Sequence, residues 1–99
     1  MTDISITREA KPSGGRYVIQ VEGLEAYLTY QDLGENGRLT DHTIVPRQLG
    51  GRGIGTKLVE RAVEDARAEN KTIIPECWFV RQQIERHEDW QDVMKQTAR

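Results

Sequence analysis

Four glycines, Gly50, Gly51, Gly53 and Gly55, crowd the chain between Pro46 and a strongly amphipathic stretch that begins at Thr56. No other feature limits the fold as much. The apolar run Thr43 to Val45 reads as the end of a strand that Pro46 stops, so the glycines form a strand-to-helix turn. Gly51, Gly53 and Gly55 alternate with Arg52 and Ile54, which frees the backbone for conformations barred to other residues and lets it approach a ligand closely. A helix launched from such a turn points free N–H groups and the positive end of its dipole into it. That makes an anion site suited to a phosphate or pyrophosphate. Arg52 adds a mobile positive charge. The turn taken alone also fits a flexible connector that binds nothing. It matches neither common phosphate fingerprint: the dinucleotide pattern lacks its third glycine, and the chain reads Thr56-Lys57 where a P-loop needs lysine first.

The elements on either side follow from periodicity. Ile4 to Arg8 alternate weakly as a first strand, and Lys11-Pro12-Ser13-Gly14-Gly15 is a turn cluster. Arg16 to Glu22 places Tyr17, Ile19 and Val21 on one side. Gly23 turns the chain into Leu24 to Gln31, where Leu24, Ala26, Leu28 and Tyr30 share one face in the strict alternation of a half-buried strand. Gly34-Glu35-Asn36-Gly37 signals a hairpin turn, and Arg38 to Val45 is the return strand. From Thr56 to about Asn70, Leu58, Val59, Ala62, Val63 and Ala66 recur at helical spacing, with Glu60, Arg61, Glu64, Asp65 and Arg67 toward water. Thr72 to Cys77 reads as a short buried strand interrupted by Pro75. Helical spacing resumes from Trp78 with Val80, Ile84 and His87, and continues through Glu88 to Met94.

Ninety-nine residues form one domain, 1–99, with room for one core. The net charge of −2, with acids and bases interspersed, gives no basic stripe and so no nucleic-acid partner. Apolar runs are too short to span a membrane, and the N-terminus lacks the pattern of a signal peptide. A single cysteine makes no internal disulfide and suits a reducing, cytoplasmic setting. One Cys and two distant His give no zinc spacing, so no metal is expected.

Two spaced motifs carry a resemblance. Arg52-Gly53-Ile54-Gly55 before Lys57-Leu58-Val59 is similar to the coenzyme A loop of the GNAT superfamily of N-acetyltransferases, Arg/Gln-x-x-Gly-x-Gly/Ala, with Gly50 in place of the first Arg or Gln. The wider string His42 to Gly55, followed by Ile73 or Ile74 before Pro75 and by Cys77-Trp78-Phe79-Val80, resembles the small single-module branch of about a hundred residues. The likeness runs from about Val18 to Trp90. It implies a minimal GNAT-like α+β fold: an antiparallel β-meander, then helix–strand–helix, with parallel strands splayed around a coenzyme A wedge. The helices that larger members insert between their first two strands have no counterpart.

The resemblance also implies an activity and a site. The activity is transfer of an acetyl group from acetyl-CoA to an unidentified amine, with a non-catalytic CoA-binding module or sensor as the alternative and a purely structural interaction domain behind both. Backbone groups of Thr43, Ile44 and Val45 would pair with the pantetheine amides, and the N–H groups of Gly51, Arg52, Gly53, Ile54, Gly55 and Thr56 would hold the pyrophosphate. Cys77 is either a nucleophile that receives the acetyl group or a buried structural cysteine. His42 is either a general base or a hydrogen-bonded strand histidine, placed by alternation with Ile44 on what reads as the core face. His87, in Arg86-His87-Glu88-Asp89-Trp90, reads as packing for the last helix. Exposed edge strands suit a monomer or a weak homodimer.

Overall fold

The computed structural model describes residues 5–94. Alternation sets its meander. Tyr17, Ile19 and Val21 of β2 (Gly14–Val21) and Ala26, Leu28 and Tyr30 of β3 (Leu24–Leu33) face one way and are buried. Flanked by β1 (Ile6–Lys11) and β4 (Gly37–Ile44), these strands pair antiparallel in chain order. The chain then crosses the sheet as helix α1 (Ile54–Ala68) and returns as β5 (Thr72–Pro75), parallel to β4. Helix α2 (Trp78–Arg86) and a 3-10 segment, Glu88–Val93, close the core. The result is the α+β order expected: a five-stranded mixed sheet, β1-β2-β3-β4-β5, with its helices over one face. Among the described residues no helix is long and apolar enough to cross a membrane.

Helix α1 holds the two layers together. Leu58, Val59, Ala62, Val63 and Ala66 are fully buried against the sheet and against Val80 and Ile84 of α2. Burying each leucine or valine side chain contributes about 1.5–3 kcal/mol.

Several expectations shift. Ile4 lies outside the described residues, and β1 runs on to Lys11. Gly14 and Gly15 are in strand, not turn: Pro12-Ser13 alone reverses the chain, and a Cβ at Gly14 would lie 2.5 Å from the Tyr30 carbonyl oxygen. The β3–β4 hairpin turns over Gly34–Asn36, and Gly37 already pairs in β4. Helix α1 starts two residues early, at Ile54, and β5 stops at Pro75, short of Cys77. Met94 leaves the helical segment and bridges to Ile73.

The largest correction concerns β4. Thr29 pairs with His42 but Tyr30 pairs with Thr40, so Asp41 is an extra residue that bulges the strand. The bulge reverses the inside–outside phase. Before it, Arg38 and Thr40 are buried; after it, His42 and Ile44 face solvent, Ile44 at 46% exposure, instead of the core.

Asp65 and Glu69, at the C-terminal end of α1, are not simply solvated. Tyr17 donates to Asp65 at 2.8 Å, and Arg8 reaches both acids. The Arg38 guanidinium, 1% exposed, bonds Asp32 at 2.8 Å and Glu69 at 2.7 Å and lies over the Tyr30 ring. The hydrogen bond from Arg8 holds the Glu69 carboxyl down at about 2, partial burial opposes, and Arg38 adds to the lowering. Because the folded value lies below the ordinary 4.5, Glu69 stabilises the protein fully above that pH. The contribution is lost as pH falls from about 4.5 to about 2. Thermal unfolding across this window should show a steep acid limb that Glu69→Gln flattens; an identical limb in the variant would contradict this assignment.

Candidate active site

The connection from β4 to α1 is anchored before it opens. Pro46 leads into a 3-10 turn, Arg47–Leu49, that drives Leu49 into the core, fully buried. Gly51 and Gly53 then adopt left-handed φ values of 81° and 72°, where an added Cβ would meet nothing within 4 Å. These two glycines serve backbone conformation, not space. Gly53 is the N-cap of α1 and contributes no side-chain cap. The first backbone bond back to it comes from Lys57 N at 3.1 Å, so the N–H groups of Ile54, Gly55 and Thr56 have no intrahelical acceptor. No acid stands in that first turn. These donors open on a depression of about 250 Å³ lined by Val45, Gly51, Gly53, Ile54, Thr56 and Phe79 among others. Arg52, 45% exposed at its side chain, holds a loose pair with Glu22 at 3.4 Å. The geometry is suited to a ligand phosphate on the axis of α1.

Gly55 plays a different part from its neighbours. A Cβ there would lie 2.7 Å from the Phe79 ring, so this glycine lets α1 and α2 approach. Overpacking costs about 1–3 kcal/mol, and alanine's better helix propensity returns less than about 1 kcal/mol. Gly55→Ala should therefore lose about 1 kcal/mol of stability by chemical unfolding, and Phe79→Leu in the same chain should restore most of it. Additive losses in the double variant would contradict the contact.

The second half of the site is a strand edge. The β4–β5 ladder ends at Thr40↔Pro75, while β4 continues to Ile44. The bulge at Asp41 and the missing N–H of Pro75 part the strands there. Among the described residues, the backbone of Asp41–Ile44 thus has no strand partner on its β5 side. Cys77 sits at the fork: its N–H donates to Thr40 O at 2.9 Å, and its thiol lies 3.6 Å from Thr43 Oγ1. It is half-buried and is the N-cap of α2, without using its side chain as a cap. The exposed Trp78 follows it.

The structure thus gathers Thr43, Ile44, Val45 and Cys77 at the fork and Gly51 to Thr56 at the helix, with Val45 on the wall of the depression. It does not bring His42 together with Cys77. His42 is exposed, and its side chain and that of Thr43 leave β4 on opposite faces. Beside it, Asp41 is partly buried, which pushes its carboxyl up, but hydrogen bonds from Thr29 at 2.6 Å and Gln31 at 3.1 Å outweigh this and keep it below its ordinary range. The Thr43 hydroxyl and the Phe79 ring were not singled out by sequence. The bulge that turns Thr43 inward left no periodic trace, and Phe79 stands in the sequence only as a member of the Cys77–Val80 motif. Among the described residues no three or more His, Cys, Asp or Glu side chains are grouped to hold a metal ion.

Comparison with known proteins agrees with this fold. Residues 16–93 match the family model of GCN5-related N-acetyltransferases. The chain belongs to this family. It is also similar to a GCN5-like protein from Staphylococcus aureus, proposed to be an N-acetyltransferase and solved in solution by NMR. The two are 33% identical with a TM-score of 0.74, and the match covers 99% of this chain and 94% of the other. As a GCN5-related N-acetyltransferase, this chain is a short one: the two-residue turn Pro12-Ser13 joins its first strands directly.

Proposed function

We propose that this acetyltransferase takes its acyl group from acetyl-CoA and passes it to a primary amine. One observation supports the reading above all others. An uncapped helix N-terminus at a left-handed glycine and a strand edge freed of its partner meet at Val45, with a half-buried thiol at the fork. The N–H groups of Gly51 through Thr56 would hold the pyrophosphate, and the backbone of Thr43, Ile44 and Val45 would hold the pantetheine amides. When bound, the coenzyme supplies an acetyl group already activated as a thioester. In the covalent route the Cys77 thiol would give up its proton and take that group by thioester exchange, the coenzyme would leave as its free thiol, and the amine would then take the group and restore the Cys77 thiol. In the direct route the site contributes proximity, and Cys77 with Thr43 only orders the fork. His42, on the open face of the sheet, suits a proton acceptor for an amine arriving from that side. The lone cysteine and the donor itself suit a cytoplasmic setting.

A second reading is a coenzyme-binding module without turnover. The tight Pro12-Ser13 turn favours it, because it leaves no inserted helices to wall an acceptor site. Release of free coenzyme thiol from acetyl-CoA separates the two. Release that rises with added primary amine supports transfer, whereas tight binding with no release across a broad amine panel supports the module.

A further inference from the structure

We infer that the surface beside the glycine loop is a subsite for the 3′-phosphate of the coenzyme, which would make the protein discriminate acetyl-CoA from 3′-dephospho-acetyl-CoA. The inference rests on the coenzyme reading above. A second depression, of about 510 Å³, is lined by Arg52, Gly53, Thr56, Lys57, His87 and Trp90. It shares Gly53 and Thr56 with the depression at the start of α1, so the two adjoin at the helix N-terminus. A pyrophosphate on those N–H groups has its ribose and phosphomonoester close at hand.

The lining suits that group. Lys57 is exposed on the first turn of α1, and the loose surface pair of Arg52 with Glu22 costs little to exchange for a phosphate. Charge-assisted contacts to a phosphate dianion are the stronger kind. His87 is held still: its Nδ1 donates to Gln83 O at 2.7 Å, since a carbonyl only accepts, and its ring stacks on Trp90 at 3.8 Å and 16°. Two flat rings beside two cations offer an adenosine phosphate both an apolar edge and counter-charge. Glu60 and Asp89 stand on the same rim. They keep the local field close to neutral, so the depression favours a phosphate already anchored at the loop over a free anion.

The test is calorimetric titration of the full chain with acetyl-CoA and with 3′-dephospho-acetyl-CoA. Wild type should bind acetyl-CoA about tenfold more tightly. Lys57→Met should bring the ratio close to one by weakening acetyl-CoA alone, and Lys57→Arg should restore it. Equal wild-type affinities, or a ratio that survives Lys57→Met, would overturn the subsite and leave the coenzyme reading intact. A wild type that binds neither compound would instead overturn the coenzyme reading, and the subsite with it.

Discussion

Gly53→Val should abolish acetyl-CoA binding at concentrations that saturate the wild type, with the protein still folded. Gly53 has φ 72° and ψ 17° as the N-cap of α1. A β-branched residue held in the left-handed region is strained by at least about 1–2 kcal/mol. The chain can relieve this by turning the 53–54 peptide, which swings the first N–H groups off the helix axis. Among the described residues no atom lies within 4 Å of the added Cβ, so the damage runs through the backbone and the ligand and not through the core. An affinity loss of at least about a hundredfold follows from strain plus lost donors, with only a few degrees off the melting temperature. Gly53→Asn is the control, because asparagine tolerates this conformation and should keep most of the affinity. Titration and thermal unfolding of both variants check the result. Unaltered affinity in Gly53→Val would remove the loop from the site.

Cys77→Ala should separate chemistry from binding. The thiol contacts Thr43 Oγ1 at the fork, while the helix donors and the free β4 edge are built from backbone that the substitution leaves in place. On the covalent route, amine acetylation falls by about a thousandfold or more while acetyl-CoA affinity stays within about twofold. Steady-state transfer and titration of the same preparation read the two quantities. Unchanged turnover would exclude Cys77 as acyl carrier and leave direct transfer. Coordinate loss of affinity would show that the thiol's packing, not its nucleophilicity, matters.

Patterns with a single clear period were legible in the sequence. The run from Leu24 to Tyr30 alternates without a break, and the face from Leu58 to Ala66 repeats at helical spacing; Ala26, Leu28 and Tyr30 of the first and the whole of the second are buried, and Leu24 is partly so. Strand β4 was not legible in the same way. Arg38, Thr40, Asp41, His42 and Thr43 mix polar residues on both faces, so neither the bulge nor the burial of Arg38 announces itself. Burial of Arg38 depends on Glu69, 31 residues away, and no local rule pairs them. The start of α1 was misplaced because Ile54 and Gly55 are indifferent helix formers. It is set by the backbone at Gly53 and by Phe79 closing over Gly55. The glycine loop and Cys77 stood out because their residue types are unusual in their places. The Thr43 hydroxyl did not, because its position depends on the bulge.

The most direct test of the central claim is calorimetric titration of the purified protein with acetyl-CoA and with CoA, followed by intact mass of the acetyl-CoA sample. The proposal predicts binding of both at micromolar concentration. On the covalent route it also predicts a mass gain of one acetyl group that disappears in Cys77→Ala. Binding without a mass gain would assign the transfer, if an amine then accelerates thiol release, to the direct route. No binding of either compound would contradict the account of the site.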